Sequence, residues 1–263
     1  MASYDLRKIL DGWPFEAGQI TVRKISGDDG KPKVQMRLDL GLLQMELDGR
    51  PDGKRPHDCD SLLQYHQRRL EEHRARNGTD LGFELSGDDA QSLREEAVMY
   101  YHRYLSLFVL EDFARVERDT SRNLAVLDLC RQYASNEEDR ASLEPYRVYL
   151  IMMNTRGKAH QAIRRRAFKT ALALVDAGLN EIRRCFDGED IFSEDFEDAR
   201  EVGILVALRG EIAERLPSDP VRELEMKLTR AIREERYEEA ARLRDEIEVV
   251  RRRAIASEDG DSA

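Results

Sequence analysis

The chain has 263 residues, of which 41% are hydrophobic and 37% are charged, and its formal net charge is −10. This length allows one large domain or two smaller ones, and the high charged fraction is typical of amphipathic helices with solvated outer faces. Only 7% of the residues are aromatic, which disfavours an all-β sandwich, and the acidic balance argues against non-specific nucleic-acid binding, because phosphate contacts need clustered cations.

The sequence also predicts the compartment. No apolar run reaches 18 residues, so we expect no membrane span, and the first residues lack the apolar stretch of a signal peptide. The cysteines Cys59, Cys130 and Cys185 are odd in number and show no C-x-x-C spacing. This usage is typical of a reducing compartment, and we therefore expect a cytoplasmic protein.

Residues 1–78 predict a small α+β module. A short helix is expected over residues 4–10, followed by two alternating runs at residues 20–25 and 34–40. The glycines and aspartates between these runs indicate a β-hairpin. Residues 43–47 continue the alternation in shifted phase, which a bulge or a third strand explains equally well.

The pattern then becomes helical. Asp60 or Ser61 is placed to cap a helix that reaches Ala75, and Ser86 with Asp89 approximates a capping box. Further amphipathic helices are predicted over residues 90–110, 113–133, 145–165, 168–186 and 194–216. They would make a helical domain that ends before Pro217.

Two of these helices resemble a tetratricopeptide unit. The resemblance rests on the small and large positions Ala159, Ala162, Phe168, Ala171, Val175 and Gly178. The Trp-Leu-Gly opening of that motif is missing, and Arg166 occupies a position that is usually glycine. A divergent helical-hairpin stack and a plain helical bundle therefore both stay open.

Several other clusters favour structural roles. Tyr100, Tyr101, Tyr104 and Phe108 predict a core face, or a peptide groove if the helices form a solenoid. The short basic clusters at residues 164–166 and 251–253 favour solvated positions, and the second complements a helix C-terminus. The aspartates and glycines of residues 48–53 predict consecutive turns.

A metal or catalytic site has little support. The metal-ligating residue types gathered in one region are His57, Cys59, Asp60, His66 and His73. Their spacing matches no standard zinc motif, so we predict no metal. The phosphate-binding pattern G-x-x-x-x-G-K-[ST] is also absent from the sequence, and we expect no cofactor and no enzymatic activity.

The segment 219–254 predicts two antiparallel helices. One apolar stripe contains Val221, Leu224, Leu228 and Ala231, and the other contains Ala240, Leu243, Ile247 and Val250. Two such stripes bury little area, so we expect a marginal hairpin whose apolar surface meets a partner or, alternatively, the preceding helices. Residues 255–263 predict a disordered acidic tail.

This hairpin resembles the UVR domain, which occurs at the C-terminus of the excision-nuclease subunit UvrB and within UvrC. The resemblance rests on the run from Tyr237 to Ile247, with Leu224, Leu228 and Ala231 before it. In that family the hairpin mediates protein–protein contact. The resemblance therefore implies a partner-binding site made of Leu224, Leu228, Ala231, Tyr237, Ala240, Ala241, Leu243, Arg244, Asp245 and Ile247, with Arg244 and Asp245 as rim groups.

These expectations combine into a mainly α protein with a module at 1–78, a helical domain at 79–218, a UVR hairpin at 219–254 and a tail. The predicted function is that of a bacterial-type, non-enzymatic adaptor that docks helix on helix, as coiled coils do, with a protein partner or with itself as a homodimer. The alternative is a DNA-repair or regulatory factor that contacts nucleic acid directly. No helicase, nuclease or zinc motif accompanies the hairpin, so the resemblance names no pathway.

Overall fold

The structure is a computed structural model that describes residues 5–188, 195–216, 220–234 and 236–260. The chain divides into two compact units, residues 1–213 and residues 214–263. The first unit contains a small antiparallel sheet followed by helices, as the sequence predicts for a mainly α protein. Its packing does not separate at residue 78, where we placed a domain boundary.

The sheet has a third strand. Its strands are β1 (Val22–Ser26), β2 (Pro32–Leu38) and β3 (Gly41–Glu46), in that order. Leu38 pairs with Gly41 across a two-residue turn, and Met36 consequently pairs with Leu43. This turn causes the phase change in the alternation, so the bulge alternative is not needed.

Side chains cap some of the helices that precede the C-terminal hairpin. They are α1 (Arg7–Leu10), α2 (Leu62–Asn77), α3 (Gly87–Val109), α4 (Phe113–Tyr133), α5 (Glu137–Ala141), α6 (Arg147–Arg164), α7 (Phe168–Gly188) and α8 (Arg200–Arg215). Ser61 caps α2, since its Oγ accepts a hydrogen bond from the backbone N–H of Gln64 at 3.1 Å. Ser86 and Asp89 form the predicted capping box at α3, in which each side chain accepts a backbone N–H.

Some boundaries differ from the prediction. Pro145 lies in a 3-10 turn before α6, so the α-helix begins two residues later than predicted. Asn136 caps the short helix α5, which was not predicted. Of the predicted helix starts, residues 4 and 194 lie outside the described residues.

The helices α3, α4, α6 and α7 pack on one another in chain order. A Cβ added at Gly178 of α7 would lie 2.2 Å from Oγ1 of Thr155 in α6, and one added at Gly157 would lie 3.3 Å from the carbonyl oxygen of Phe113. Only a hydrogen fits at Gly178, so this glycine allows α6 and α7 to approach closely. Ala159, Ala171 and Val175 are fully buried in the same core.

The sheet is joined to the helices through a buried ion pair. The guanidinium of Arg103 (α3) donates to both carboxylate oxygens of Asp119 (α4), at 2.7 and 2.9 Å, and both side chains are almost fully buried. The same guanidinium donates to the carbonyl oxygens of Glu46 and Gly49, at 3.0 and 2.8 Å. One side chain therefore connects two helices to the end of β3, and the pair is well formed because its remaining donors are satisfied.

The second unit is a helical hairpin made of α9 (Pro220–Arg233) and α10 (Tyr237–Gly260). Residues 255–260 are helical in α10, whereas we predicted a disordered tail from residue 255. The run continues because alanine and glutamate are good helix formers and no proline interrupts it. Residues 261–263 lie outside the described residues. Among the described helices, none is long and apolar enough to cross a membrane.

Candidate functional site

The candidate site is the hairpin of α9 and α10, whose tight connection comes from local hydrogen bonds. The N–H of Arg236 donates to the carbonyl oxygen of Ala231 at 2.8 Å, which satisfies a carbonyl at the end of α9. The guanidinium of Arg236 also pairs with Glu234 and with Glu239 across the connection. Hydrogen bonds from Arg230 and Arg236 lower the pKa of the Glu234 carboxyl. Because these ion pairs are exposed, they contribute little to the stability of the turn.

Six of the ten predicted site residues lie inside the hairpin. Leu224, Leu228 and Ala231 from α9 cluster with Ala240, Leu243 and Ile247 from α10, and all except the half-buried Leu228 are buried. These six residues contact one another, whereas the side chains of Val221 and Val250, the other members of the two stripes, lie outside the described side chains. The six residues therefore build the hairpin, and most of their apolar surface is not available to a partner while the hairpin is folded.

The other four predicted residues are exposed. Tyr237 is 69% exposed, Ala241 is exposed beside it, and the side chains of Arg244 and Asp245 form an exposed ion pair at 3.3 Å. Tyr237, Ala241 and Asp245 are spaced four residues apart along α10, so they lie on one side of the helix.

Sequence reasoning missed one member of this exposed row. Val249 continues the same spacing and is 47% exposed. We call Tyr237, Ala241, Asp245 and Val249 the outer row of α10. The signal that identifies Val249 is the four-residue repeat itself, which differs from the three- and four-residue spacing of the buried stripe.

The family comparison covers this hairpin. Residues 218–253 match the family model of the UvrB/uvrC motif, UVR. The segment is a UVR motif. Such motifs are found in DNA-repair proteins and mediate protein interactions. No match extends to the helices of residues 145–188, so the tetratricopeptide resemblance is not confirmed. No curated protein and no solved structure is found to match the chain.

The histidine-rich region outside the UVR motif has structural contacts. His57 stacks on Tyr65 with ring centroids 3.9 Å apart, and a ring nitrogen of His73 bonds to the carbonyl oxygen of Leu81 at 3.0 Å. Nδ1 of the buried His66 lies 3.0 Å from a guanidinium nitrogen of Arg69. Within the described part of the chain, no three histidine, cysteine or acidic side chains are grouped so that they could hold a metal ion.

The basic cluster at residues 164–166 closes the connection between α6 and α7. Arg164 forms an ion pair with Glu111, and its guanidinium lies 4.8 Å from the ring centroid of Phe113. Arg166 has a φ of 58°, a left-handed conformation that glycine adopts more readily. This is the position that is usually glycine in a tetratricopeptide unit. The side chains of the other basic cluster, residues 251–253, lie outside the described side chains.

Proposed function

We propose that this protein is a non-enzymatic cytoplasmic adaptor that binds a protein partner through the UVR hairpin. The single observation that carries the proposal is the outer row of α10. It leaves Tyr237 and Val249 exposed, as Ile232 of α9 is, on a motif whose buried leucines, alanines and isoleucine already form its own core. A tyrosine presents a large apolar face and a polar tip, which suits an interface between helices.

The size of the hairpin core supports the same proposal. Its buried residues include two alanines, Ala231 and Ala240, so little apolar area is removed from water. Small folds of this kind gain stability from association, because a second surface buries further apolar area. Asp245 of the outer row and its neighbour Arg244 form a polar pair that would contribute to partner choice, since rim charges affect specificity more than affinity.

Photo-crosslinking at neighbouring positions tests the outer row. The photoreactive residue p-benzoylphenylalanine is placed at position 245, in the outer row, and separately at position 246, which is exposed on the other flank of α10. We expect a covalent adduct with a partner chain, seen as a larger band and identified by mass spectrometry, from position 245 but not from position 246. Equal adducts, or none, would contradict the proposal.

A pair of matched variants completes the test. Tyr237→Ala with Val249→Ala shortens both apolar side chains of the outer row and should remove the adduct. Glu239→Ala with Glu246→Ala changes two exposed side chains on the other flank and should leave it intact. Both pairs should retain the helical circular dichroism of the wild type, because none of the four side chains belongs to the buried cluster.

The crosslinked mass also identifies the class of partner. An adduct of twice the chain mass indicates a homodimer, and any other mass indicates a different protein. Direct DNA contact is tested by titrating salt in a binding assay with labelled duplex. Phosphate contacts give a steep loss of affinity with salt, and we expect no binding at low salt for this acidic chain.

A further inference from the structure

A large groove in the first unit has no part in the proposed function. It has a volume of about 750 Å³ and lies along α3, with walls from α6 and from the turn that precedes it. Its lining is mostly apolar and aromatic, and its rim includes the exposed side chains of Val98 and Tyr146. Binding sites commonly combine this volume with an apolar lining and a few polar groups.

Three tyrosines form the aromatic part of the lining. The ring centroid of Tyr101 lies 5.6 Å from that of Tyr104 and 6.4 Å from that of Tyr149. Burial raises the pKa of the Tyr104 hydroxyl, and it raises the pKa of Tyr149 to about 12, so both phenols are neutral at physiological pH. Tyr104 is 2% exposed and Tyr101 is 37% exposed, so Tyr101 offers more of its ring to a ligand.

The two charged side chains in the lining, Arg94 and Glu201, differ in whether another protein group neutralises them. The guanidinium of Arg94 is occupied, because it donates to Asp139 at 2.6 Å and to Gln91 at 2.7 Å. Glu201 of α8 is half-buried, lines the groove and acts electrostatically on Tyr149, but it has no ion-pair partner among the described residues. The charge in the groove that no protein group neutralises is therefore negative.

Two further cations act on Tyr149, and neither one lines the groove. The guanidinium of Arg156 lies over the ring of Phe108, 4.2 Å from its centroid, and Arg200 is exposed to solvent. Tyrosine rings attract cations through their electron-rich faces, and a nearby carboxylate strengthens that attraction. The lining is thus suited to a positively charged group on an otherwise apolar ligand.

We propose that this groove binds a segment of a partner protein in which an arginine or lysine is flanked by apolar residues. The basic side chain contacts the rings of Tyr101 and Tyr149 and pairs with Glu201, while the flanking residues occupy the apolar lining. A chain segment is favoured over a small molecule because the rim is open at Val98 and Tyr146, whereas small-molecule sites enclose most of their ligand. The site is separate from the UVR hairpin and would give the adaptor a second docking surface.

Peptide binding to the full chain tests this site. The probe is a library of fluorescein-labelled nonapeptides with a central arginine and flanking positions drawn from Leu, Phe, Ala and Ser. The matched library has citrulline at the centre, which keeps the shape of arginine and removes its charge. We expect fluorescence anisotropy to show saturable binding of the arginine library, and binding about tenfold weaker for the citrulline library. No saturable binding, or equal binding of the two libraries, would overturn the proposal.

Variants then assign the binding to the groove. Glu201→Gln should weaken binding of the arginine library about tenfold, while Glu211→Gln, at an exposed position of α8 outside the lining, should not change it. Tyr101→Leu should weaken binding with an unchanged melting temperature, since its ring is partly exposed. An unaltered affinity in Glu201→Gln would contradict the assignment.

The same assay separates this site from the proposed function. The variant Tyr237→Ala with Val249→Ala should bind the arginine library as the wild type does, because it changes only the hairpin. Conversely, Glu201→Gln should leave the crosslink from position 245 intact. Loss of one interaction without the other is the expected result, and joint loss in either variant would contradict the separation of the two surfaces.

Discussion

The two units of this chain differ in what their interiors contain. The first unit buries charged side chains in full, such as Arg103, Asp119 and Glu96, beside large apolar ones. Among the side chains that the structure describes, the hairpin buries only leucines, alanines and an isoleucine, and its ion pairs are exposed. A charged side chain can be buried only where surrounding groups satisfy all of its hydrogen-bond donors and acceptors. Two helices supply too few such groups.

The comparison supports the proposal that the hairpin is a docking element. The first unit is stabilised by a sheet, by several helices and by a network of buried polar groups. A further contact at its surface therefore adds little to its stability. The hairpin has a few interior contacts, and a partner that covers its outer row increases its stability by mass action. The following predictions test this difference, from the largest expected effect to the smallest.

The buried pair in the first unit should have the largest effect. Arg103→Ala leaves Asp119 charged and unpaired in the interior, and should lower the free energy of unfolding by about 3–5 kcal/mol. The matched exposed pair in the hairpin is Arg244 with Asp245, and Arg244→Ala should change stability by less than about 1 kcal/mol. Urea unfolding followed by circular dichroism measures both, and similar losses would refute the contrast between the two interiors.

Acid should destabilise the first unit before the hairpin. The pKa of His66 is lowered from 6.5 to about 4, mainly by burial. The positive charge of Arg69 lowers this pKa further, and the negative charge of Asp89 raises it. The folded state therefore takes up its proton at lower pH than the unfolded state does. Stability is full above about pH 6.5 and falls toward pH 4, by up to about 3 kcal/mol.

Replacing His66 checks this pH dependence. His66→Gln should reduce the change in urea midpoint between about pH 7 and about pH 5, and a smaller change should remain because burial also lowers the pKa of His102 and of His160. The hairpin contains no histidine, since all five of the chain lie before residue 161. Hydrogen exchange in residues 220–250 should not follow the same step. A midpoint that still falls by the wild-type amount in the variant would show that another group is responsible.

A core truncation in the hairpin should act on that unit alone. Leu243→Ala removes one of the larger buried side chains of a small cluster, and should destabilise the hairpin by about 2 kcal/mol, at the low end for leucine because two helices can partly collapse around the gap. Hydrogen exchange measured by mass spectrometry should rise in residues 220–250 and stay unchanged in α3 and α4. An increase in both units would contradict their independence.

Two glycines should respond in opposite directions. Gly178→Ala places a Cβ 2.2 Å from the side chain of Thr155 and should cost about 1 kcal/mol net of the better helix propensity of alanine. Gly203→Ala, on the exposed side of α8, meets nothing within 4 Å and should stabilise by up to about 1 kcal/mol. Thermal melts of both variants measure the difference, and equal signs would show that α6 and α7 do not approach closely at Gly178.

Much of the local structure could be predicted because its causes are local. The capping box of Ser86 and Asp89, the extent of α4 and the start of α7 all depend on residues within one or two helical turns. The origin of the phase change between β2 and β3 could not be decided, because a bulge and a tight turn shift the alternation alike and only strand pairing distinguishes them.

The sequence predicted which segment forms the candidate site, but it did not predict which side chains of that segment are exposed. Apolar spacing correctly grouped Leu224, Leu228, Ala231, Ala240, Leu243 and Ile247, but it does not say which surface covers them. The structure shows that they cover one another, so substitutions such as Leu228→Asp would unfold the hairpin and would not test docking. The exposed residues Tyr237, Ala241 and Asp245 then become the informative ones, and Val249 joins them through its position on the helix.

The sequence by itself determined that the chain is mainly helical and that it ends in a UVR motif, because both depend on periodicity and on short-range residue patterns. Only the tertiary structure decided which charges are buried, where the tyrosine-lined groove lies and which face of α10 is open. Those features arise from residues far apart in the chain, such as Tyr101 and Glu201, whose proximity no local pattern records. Which residues of the UVR motif are buried and which form the outer row depends in the same way on how α9 and α10 pack together.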